Sequence, residues 1–233
     1  GKPLLVETWR RARKVAPSER IWVAAPAKLA SQVRAALPAL RPGRLVIEPS
    51  PRDTAPAVGL VCAAIARQTP SAVVGIFPTD HIIRDERRFL SCVGVAANEA
   101  RQGSLVCLGI RPDRPATGFG YLKCAERPRA GRATKVARFV EKPDLARARR
   151  FLRSGSYLWN GGMFVWRVDR FLSELERTAP AIARAVRSTA EGRTNSWKRA
   201  TRLSVDYAVM EKAREVSVVP LDAGWDDIGS WDA

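Results

Sequence analysis

Histidine is nearly absent: the 233 residues contain one, His81. That excludes a His-rich metal site and any mechanism that needs two histidines. A Ser-His-Asp triad would have to use His81, and no G-x-S-x-G elbow accompanies it. Cysteine is sparse and scattered. Cys62, Cys92, Cys107 and Cys124 include no C-x-x-C pair. This argues against a zinc knuckle or a disulfide framework and for buried thiols in a reducing, cytoplasmic setting. No apolar run approaches the ~18 residues of a membrane helix. The opening Gly1-Lys2-Pro3 lacks a signal-peptide layout, and no internal repeat or low-complexity tract interrupts the chain.

Acidic residues are also in deficit, 23 against 40 Lys plus Arg, for a net charge of +17; only eight of the cations are lysines. Such a balance suits a polyanionic partner, whether nucleic acid, nucleotide or an acidic surface. The arginines, however, are dispersed. The densest runs, 10–14 and 147–150, fall inside helical patterns and read as solvated faces. No stripe of aromatic and basic residues is present, so a nucleic-acid binder is the less favoured reading.

What remains is an ordinary globular composition, 46% hydrophobic and 27% charged, of a size for one domain. Short apolar runs at 21–24, 45–47, 72–77 and 105–110 predict strands covered on both faces. Amphipathic stretches at 4–15, 27–36, 55–67 and 86–100 predict helices between them. Strand-helix alternation of this kind points to a parallel, doubly wound sheet, with 45–47, 72–77 and 105–110 as parallel neighbours. Beyond residue 110 the pattern predicts a hairpin at 119–124 and 135–140 and a helix at 145–153. A strand at 163–166 follows, then helices at 170–178, 182–190 and 205–212 and a last strand at 216–221. All strands are expected in one continuous sheet.

Ligands of open α/β sheets bind outside the carboxyl ends of the strands, and five polar segments are placed there. Glu48-Pro49-Ser50-Pro51-Arg52-Asp53-Thr54-Ala55-Pro56-Ala57 opens a helix that Asp53 or Thr54 can cap; its free N–H groups can alternatively meet an anion or a nucleobase edge. Phe77-Pro78-Thr79-Asp80-His81 puts a carboxylate at a strand end, as a cap or a metal ligand. In Thr117-Gly118-Phe119-Gly120-Tyr121 the glycines allow close backbone approach to a ligand, or simply a tight turn. Phe139-Val140-Glu141-Lys142-Pro143 joins an acceptor for sugar hydroxyls to a cation for phosphate, unless it is a surface ion pair. Trp159-Asn160-Gly161-Gly162 adds an amide that both donates and accepts. Trp225-Asp226-Asp227-Ile228-Gly229-Ser230-Trp231 sets adjacent acids between tryptophans. One of them, paired with Asp80, can hold a hard divalent cation through oxygen.

These segments, together with S-V-D-Y-A-V-M-E-K at 204–212, resemble in order the motifs of the mannose-1-phosphate guanylyltransferases, over most of the chain. The resemblance implies a three-layer α/β/α nucleotide-diphospho-sugar transferase fold with a mixed, mainly parallel central sheet. It implies transfer of guanylyl from GTP to mannose 1-phosphate, giving GDP-mannose and pyrophosphate, with Mg²⁺ held by Asp80 and Asp227. It places Glu141 and Asn160 on mannose hydroxyls beside the Gly118 and Gly120 backbone, and Lys142 at the sugar phosphate. Arg52, Asp53, Thr54 and Ala55 fall near guanine. Residues 1–233 then form one nucleotidyltransferase domain that lacks the family's glycine-rich signature loop, G-G-x-G-x-R-L-W-P, before Gly1 and a β-rich region after Ala233. Asp53 stands where the family has Asn, Ala116 where it has Glu, and Gly161 where it has Ser or Ala. A catalytically inactive sugar-nucleotide-binding or regulatory relative is the alternative, and a homo-oligomer is left open.

Overall fold

The structure, a computed structural model, describes residues 3–228. Seven helices are α1 (Leu4–Val15), α2 (Ala30–Ala36), α3 (Thr54–Ala66), α4 (Glu86–Arg101), α5 (Leu145–Ser154), α6 (Val168–Thr178) and α7 (Pro180–Ala190). Ten strands are β1 (Val23–Pro26), β2 (Leu45–Glu48), β3 (Val73–Ile76), β4 (His81–Ile83), β5 (Leu105–Ile110), β6 (Tyr121–Cys124), β7 (Thr134–Val140), β8 (Tyr157–Arg167), β9 (Val216–Leu221) and β10 (Trp225–Asp227). None of the described helices is long and apolar enough to cross a membrane. The helix starts follow local chemistry. Asp85 and Asp144 accept the N–H of Arg88 and Arg147 at 3.0 and 2.8 Å and cap α4 and α5. Pro180 opens α7, where its missing N–H costs nothing.

The chain falls into two compact units. The first comprises residues 1–72 and 168–212. In it β1 and β2 pair in parallel, and Trp9 of α1, Ala25, Val33 and Leu37 form a small core. Helix α3 is apolar around most of its circumference and packs on α6 and α7. Its Gly59 sits so close to them that a Cβ would lie 3.1 Å from Val186 Cγ2 and 3.2 Å from Leu175 Cδ2.

The second unit, residues 73–167 and 213–233, holds a six-stranded sheet in the order β3-β8-β5-β9-β7-β6. Strand β8 also pairs with β6, so the ladders β8, β5, β9, β7 and β6 close a ring. All six residues of β5 and of β9 are buried, as expected of strands covered on both faces. Helix α4 packs on β3, β5, β8 and β9. A two-stranded antiparallel ribbon of β4 and β10 completes the unit.

The sheet is mixed, as expected, but its neighbours are not mainly parallel. The hydrogen-bonded neighbours in the six-stranded sheet are antiparallel except β5–β9. Strands β3, β5, β9 and β6 do run the same way, but the antiparallel β8 lies between β3 and β5. Apolar runs report burial on two faces, not strand direction. Residues 45–47 pair only with β1, so neither they nor 72–77 and 105–110 are parallel neighbours. The single continuous sheet is corrected as well, because β1–β2 and β4–β10 form ladders of their own. Strand 163–166 is the second half of β8; its first half is hidden in the sequence by Asn-Gly-Gly. The helix expected at 205–212 is a π-helical turn, Asp206–Met210.

Gly109 in β5 faces no free volume. An added Cβ would fall 2.5 Å from Val218 Cγ2 and 2.8 Å from Leu158 Cδ1. Gly109→Ala is expected to cost about 1–3 kcal/mol through overpacking. Denaturant titration checks this, and an unchanged midpoint would mean that β5 and β9 have room to separate.

Candidate active site

Two ladders meet at the end of β6. Tyr121 pairs with Val140 of β7 and with Trp159 of β8. Each pairing extends by one residue, so Gly120 lies across from both Glu141 and Asn160. The Asn160 N–H donates to Gly120 O at 2.8 Å. A Cβ on Gly120 would be 2.4 Å from Glu141 Oε2 and 3.5 Å from Asn160 Cβ. The three residues expected to converge therefore do so, and Gly120 is glycine because a carboxylate occupies the space. Gly118 has no such reason, since nothing lies within 4 Å of its Cβ position.

The place of Asn160 depends on a bulge. Asn160 pairs with Gly109 of β5, while Met163 pairs with the preceding Leu108. Gly161 and Gly162 are the surplus. Gly162 has φ 64 and its N–H donates to Asn160 Oδ1 at 3.3 Å. At Gly161 a Cβ would lie 2.7 Å from Leu108 O. Asn160 and Glu141 are both half-buried.

Lys142, next to Glu141, is exposed and has φ 41, a left-handed conformation that costs a non-glycine residue about 1–2 kcal/mol. The turn lets Glu141 stay with the ladder while Pro143 is buried behind it.

On the other face of these ladders Tyr121 and Trp159 join an aromatic cluster in the core, a feature that sequence reasoning missed. Phe119 lies 5.0 Å from Trp159 and 5.5 Å from Trp225, centroid to centroid. The Arg114 guanidinium sits 5.2 Å over Trp159. Tyr121 is fully buried, which raises its pKa, and its hydroxyl donates to Ala116 O at 2.9 Å, holding down the loop that carries Phe119. The only signal in the sequence was an aromatic residue between two glycines.

Trp225 leads into the ribbon. Asp227 pairs with His81, and the Ile228 N–H donates to Asp80 O at 3.1 Å. Asp80 and Asp227 are thus neighbours at one end of the β4–β10 ladder. Asp80 is more than half exposed and Asp227 half-buried. Alternation along β10 turns Asp226, paired with Ile82, to the other face from Asp227. His81 is buried, edge-on to Trp225 at 5.4 Å, and its Nε2 is 3.9 Å from Asp80 Oδ1, past hydrogen-bond range. Gly229, Ser230 and Trp231 lie outside the described residues.

The remaining candidates belong to the first unit. Asp53 caps α3, its Oδ1 accepting the Thr54 N–H at 2.7 Å. The Ala55 N–H donates to Leu203 O at 3.1 Å. These two N–H groups are therefore engaged within the protein, which corrects the expectation that they stand free for an anion. The Thr54 hydroxyl accepts from the Val205 N–H at 2.9 Å, and Arg52 Nη1 donates to Ala200 O at 3.4 Å. Burial pushes the Glu48 carboxyl above its usual range, against the lowering effect of the Arg52 N–H.

The family profile described as Nucleotidyl transferase matches residues 1–233. The chain belongs to the nucleotidyl transferase family. It is 43% identical, over 98% of its length and 50% of the relative's, to the xanthan biosynthesis protein XanB of Xanthomonas campestris pv. campestris (strain B100). It is 40% identical to the mannose-1-phosphate guanylyltransferase of Escherichia coli (strain K12), over 80% of this chain and 42% of that one. The chain spans about half the length of the curated relatives it matches. A Thermus thermophilus crystal structure, named a mannose-1-phosphate geranyltransferase, superposes with a TM-score of 0.87 at 33% identity, covering 99% of this chain and 68% of that one. The nucleotidyl transferase therefore has the nucleotide-diphospho-sugar transferase fold, α/β with a mixed sheet, and the motif resemblance in its sequence is borne out.

Two outcomes follow from the site geometry. The group that blocks a Cβ at Gly120 is the end of a flexible side chain, so Gly120→Ala should push Glu141 off its rotamer at a cost of about 0.5–1.5 kcal/mol. In a Glu141→Ala background that cost should vanish; equal costs in both backgrounds, read by thermal melts, would place the collision elsewhere. For Glu48, whose folded pKa is raised, the stability contribution is full below the unfolded value of about 4.3 and is lost as pH rises through the folded value. The advantage of Glu48→Gln over the parent should therefore grow as pH rises above about 4, and an advantage that shrinks with pH would contradict the burial of the charged form.

Proposed function

We propose that this chain is the guanylyl-transferring part of an enzyme that joins GTP and mannose 1-phosphate to give GDP-mannose and pyrophosphate, in the cytoplasm. The observation that carries the reading is the convergence of Gly120, Glu141 and Asn160. A hexose presents adjacent hydroxyls, each both donor and acceptor. A carboxylate that accepts, an amide that does both and a backbone stripped of its Cβ are the complement of that pattern. The relatives named as mannose-1-phosphate guanylyltransferases support the choice of sugar and nucleotide.

In this reading Glu141 and Asn160 hold the sugar hydroxyls, and the left-handed turn presents the exposed Lys142 cation to the sugar phosphate. Arg52, Asp53, Thr54 and Ala55 form the guanine loop. A phosphate oxygen of the sugar attacks the α-phosphorus in line. The new P–O bond forms as the bond to the β-phosphate oxygen breaks, and pyrophosphate leaves with the electron pair. No protein nucleophile takes part, so what the residues supply is position and charge.

In this reading Asp80 and Asp227 would hold a divalent cation. Both are oxygen donors, Asp80 in the turn just before β4 and open to water, Asp227 in β10 across from His81, which is packed against Trp225. An oxygen-only set selects Mg²⁺ over softer metals and leaves room for the waters it retains. Bound there, Mg²⁺ would neutralise charge on the nucleotide phosphates.

The test is a steady-state comparison in the full chain. Glu141→Ala should lower kcat/KM for mannose 1-phosphate by the equivalent of about 2–4 kcal/mol, the scale of removing one charged hydrogen-bond partner. The KM for GTP should stay nearly unchanged. Equal losses for both substrates would make Glu141 structural and withdraw the sugar site.

A further inference from the structure

The loop at 49–54 has few contacts of its own, the Arg52 N–H to the Glu48 carboxyl and the Thr54 N–H to Asp53 Oδ1 among them. Pro49 and Pro51 have no N–H to give, and Asp53 sits at φ 70, ψ −178, a region tolerated almost only by glycine. Such strain persists only where the surroundings over-determine the backbone. Four hydrogen bonds come from one distant segment, 197–205. The Trp197 indole N–H donates to Ser50 O at 2.7 Å and Arg52 reaches Ala200 O at 3.4 Å. On the far side of Asp53, the Val205 N–H donates to the Thr54 hydroxyl and Leu203 O accepts from Ala55. Asp53 is thus pinned on both flanks. The anchoring side is firm: Trp197, Ala200 and Val205 are each at most 2% exposed. Immediately after Val205 the chain enters the π-helical turn Asp206–Met210, a rare element that recurs at functional sites. This segment carries the S-V-D-Y-A-V-M-E-K motif, to which the reaction above gives no part.

We infer that the segment 197–205 is a clamp that sets the guanine loop, and that Trp197 is its positioning residue, acting on the nucleotide through Ser50. The inference rests on the reading of that loop given under the proposed function. Trp197 touches no substrate. Its indole N–H ties down the carbonyl at the near end of the loop, and the strained Asp53 carboxylate and the Arg52 guanidinium are held in place as a result. A clamp of this kind fixes affinity for the nucleotide without entering the bond-making step or the sugar site of the other unit.

Trp197→Phe keeps an aromatic ring in place while removing the donor together with part of the indole's volume, and the pattern of two readouts separates the donor's part from plain packing. Two readouts are combined. The first needs no activity. Asp53→Gly should raise the melting temperature of the parent by relieving backbone strain, and the rise should be at least halved in the Trp197→Phe background, where the loosened loop already lets Asp53 relax. Equal rises in both backgrounds overturn the clamp. The second readout is kinetic, in the full chain. Trp197→Phe should raise the KM for GTP about tenfold, the equivalent of one buried hydrogen bond. The kcat and the KM for mannose 1-phosphate should stay within about twofold. A parallel rise in both KM values overturns the nucleotide role of Trp197. If the parent turns over no GTP, the reaction reading fails and takes the nucleotide role with it, while the melting comparison still decides the clamp.

Discussion

The second unit depends on what β8 is made to do. Eleven residues long, it pairs with β5 on one side and with β6 and then β3 on the other. One regular strand cannot serve three partners without changing course, and it changes course at Gly161-Gly162. There the neighbouring carbonyl of Leu108 leaves no room for a Cβ, and the second glycine takes a positive φ. The bulge sets Asn160 at the junction of β5, β6 and β8. The β6–β7 ladder then brings Glu141 to the same point. The convergence of these residues is therefore a by-product of strand register, and its precision comes from the ladders rather than from a loop.

Among the described residues, the two non-glycines with positive φ are Asp53 and Lys142. Each stands in a motif carried by the family resemblance, and each lies beside groups that the proposed reaction needs. Backbone strain of about 1–3 kcal/mol per residue is tolerable when neighbouring contacts enforce it. For Lys142 the enforcement comes from the end of the β7 ladder and buried Pro143. For Asp53 it comes from four hydrogen bonds to a segment nearly 150 residues away in the chain. Strain at both places trades stability for a fixed presentation of a charged side chain.

The high positive charge plays a weaker structural part. Pairs such as Arg41–Glu19 and Arg187–Glu176 in the first unit, and Arg88–Asp222 and Arg132–Glu126 in the second, are exposed, where ion pairs contribute little. The guanidiniums of Arg44 and Arg114 lie instead over indole rings. What a dispersed positive surface does supply is a long-range attraction for anionic ligands, which suits the phosphate substrates of the proposed reaction.

The sequence by itself determined the α/β class, the positions of most helices, the buried strands β5 and β9 and the β6–β7 hairpin. Each of these rests on local periodicity or turn chemistry, which a short window of residues contains. It also marked the candidate motifs, because glycines and carboxylates at strand ends are chemically conspicuous. The tertiary structure alone decided strand direction and order, since an apolar run looks the same parallel or antiparallel. It alone revealed β4 and β10, whose three-residue, half-polar ladders have no period to detect. Only it separated Gly120, whose Cβ space is taken by Glu141, from Gly118, whose space is open. And only it joined Trp197 to Ser50: a hydrogen bond between residues so far apart in the chain leaves no trace in either segment, because neither one, read alone, contains its partner.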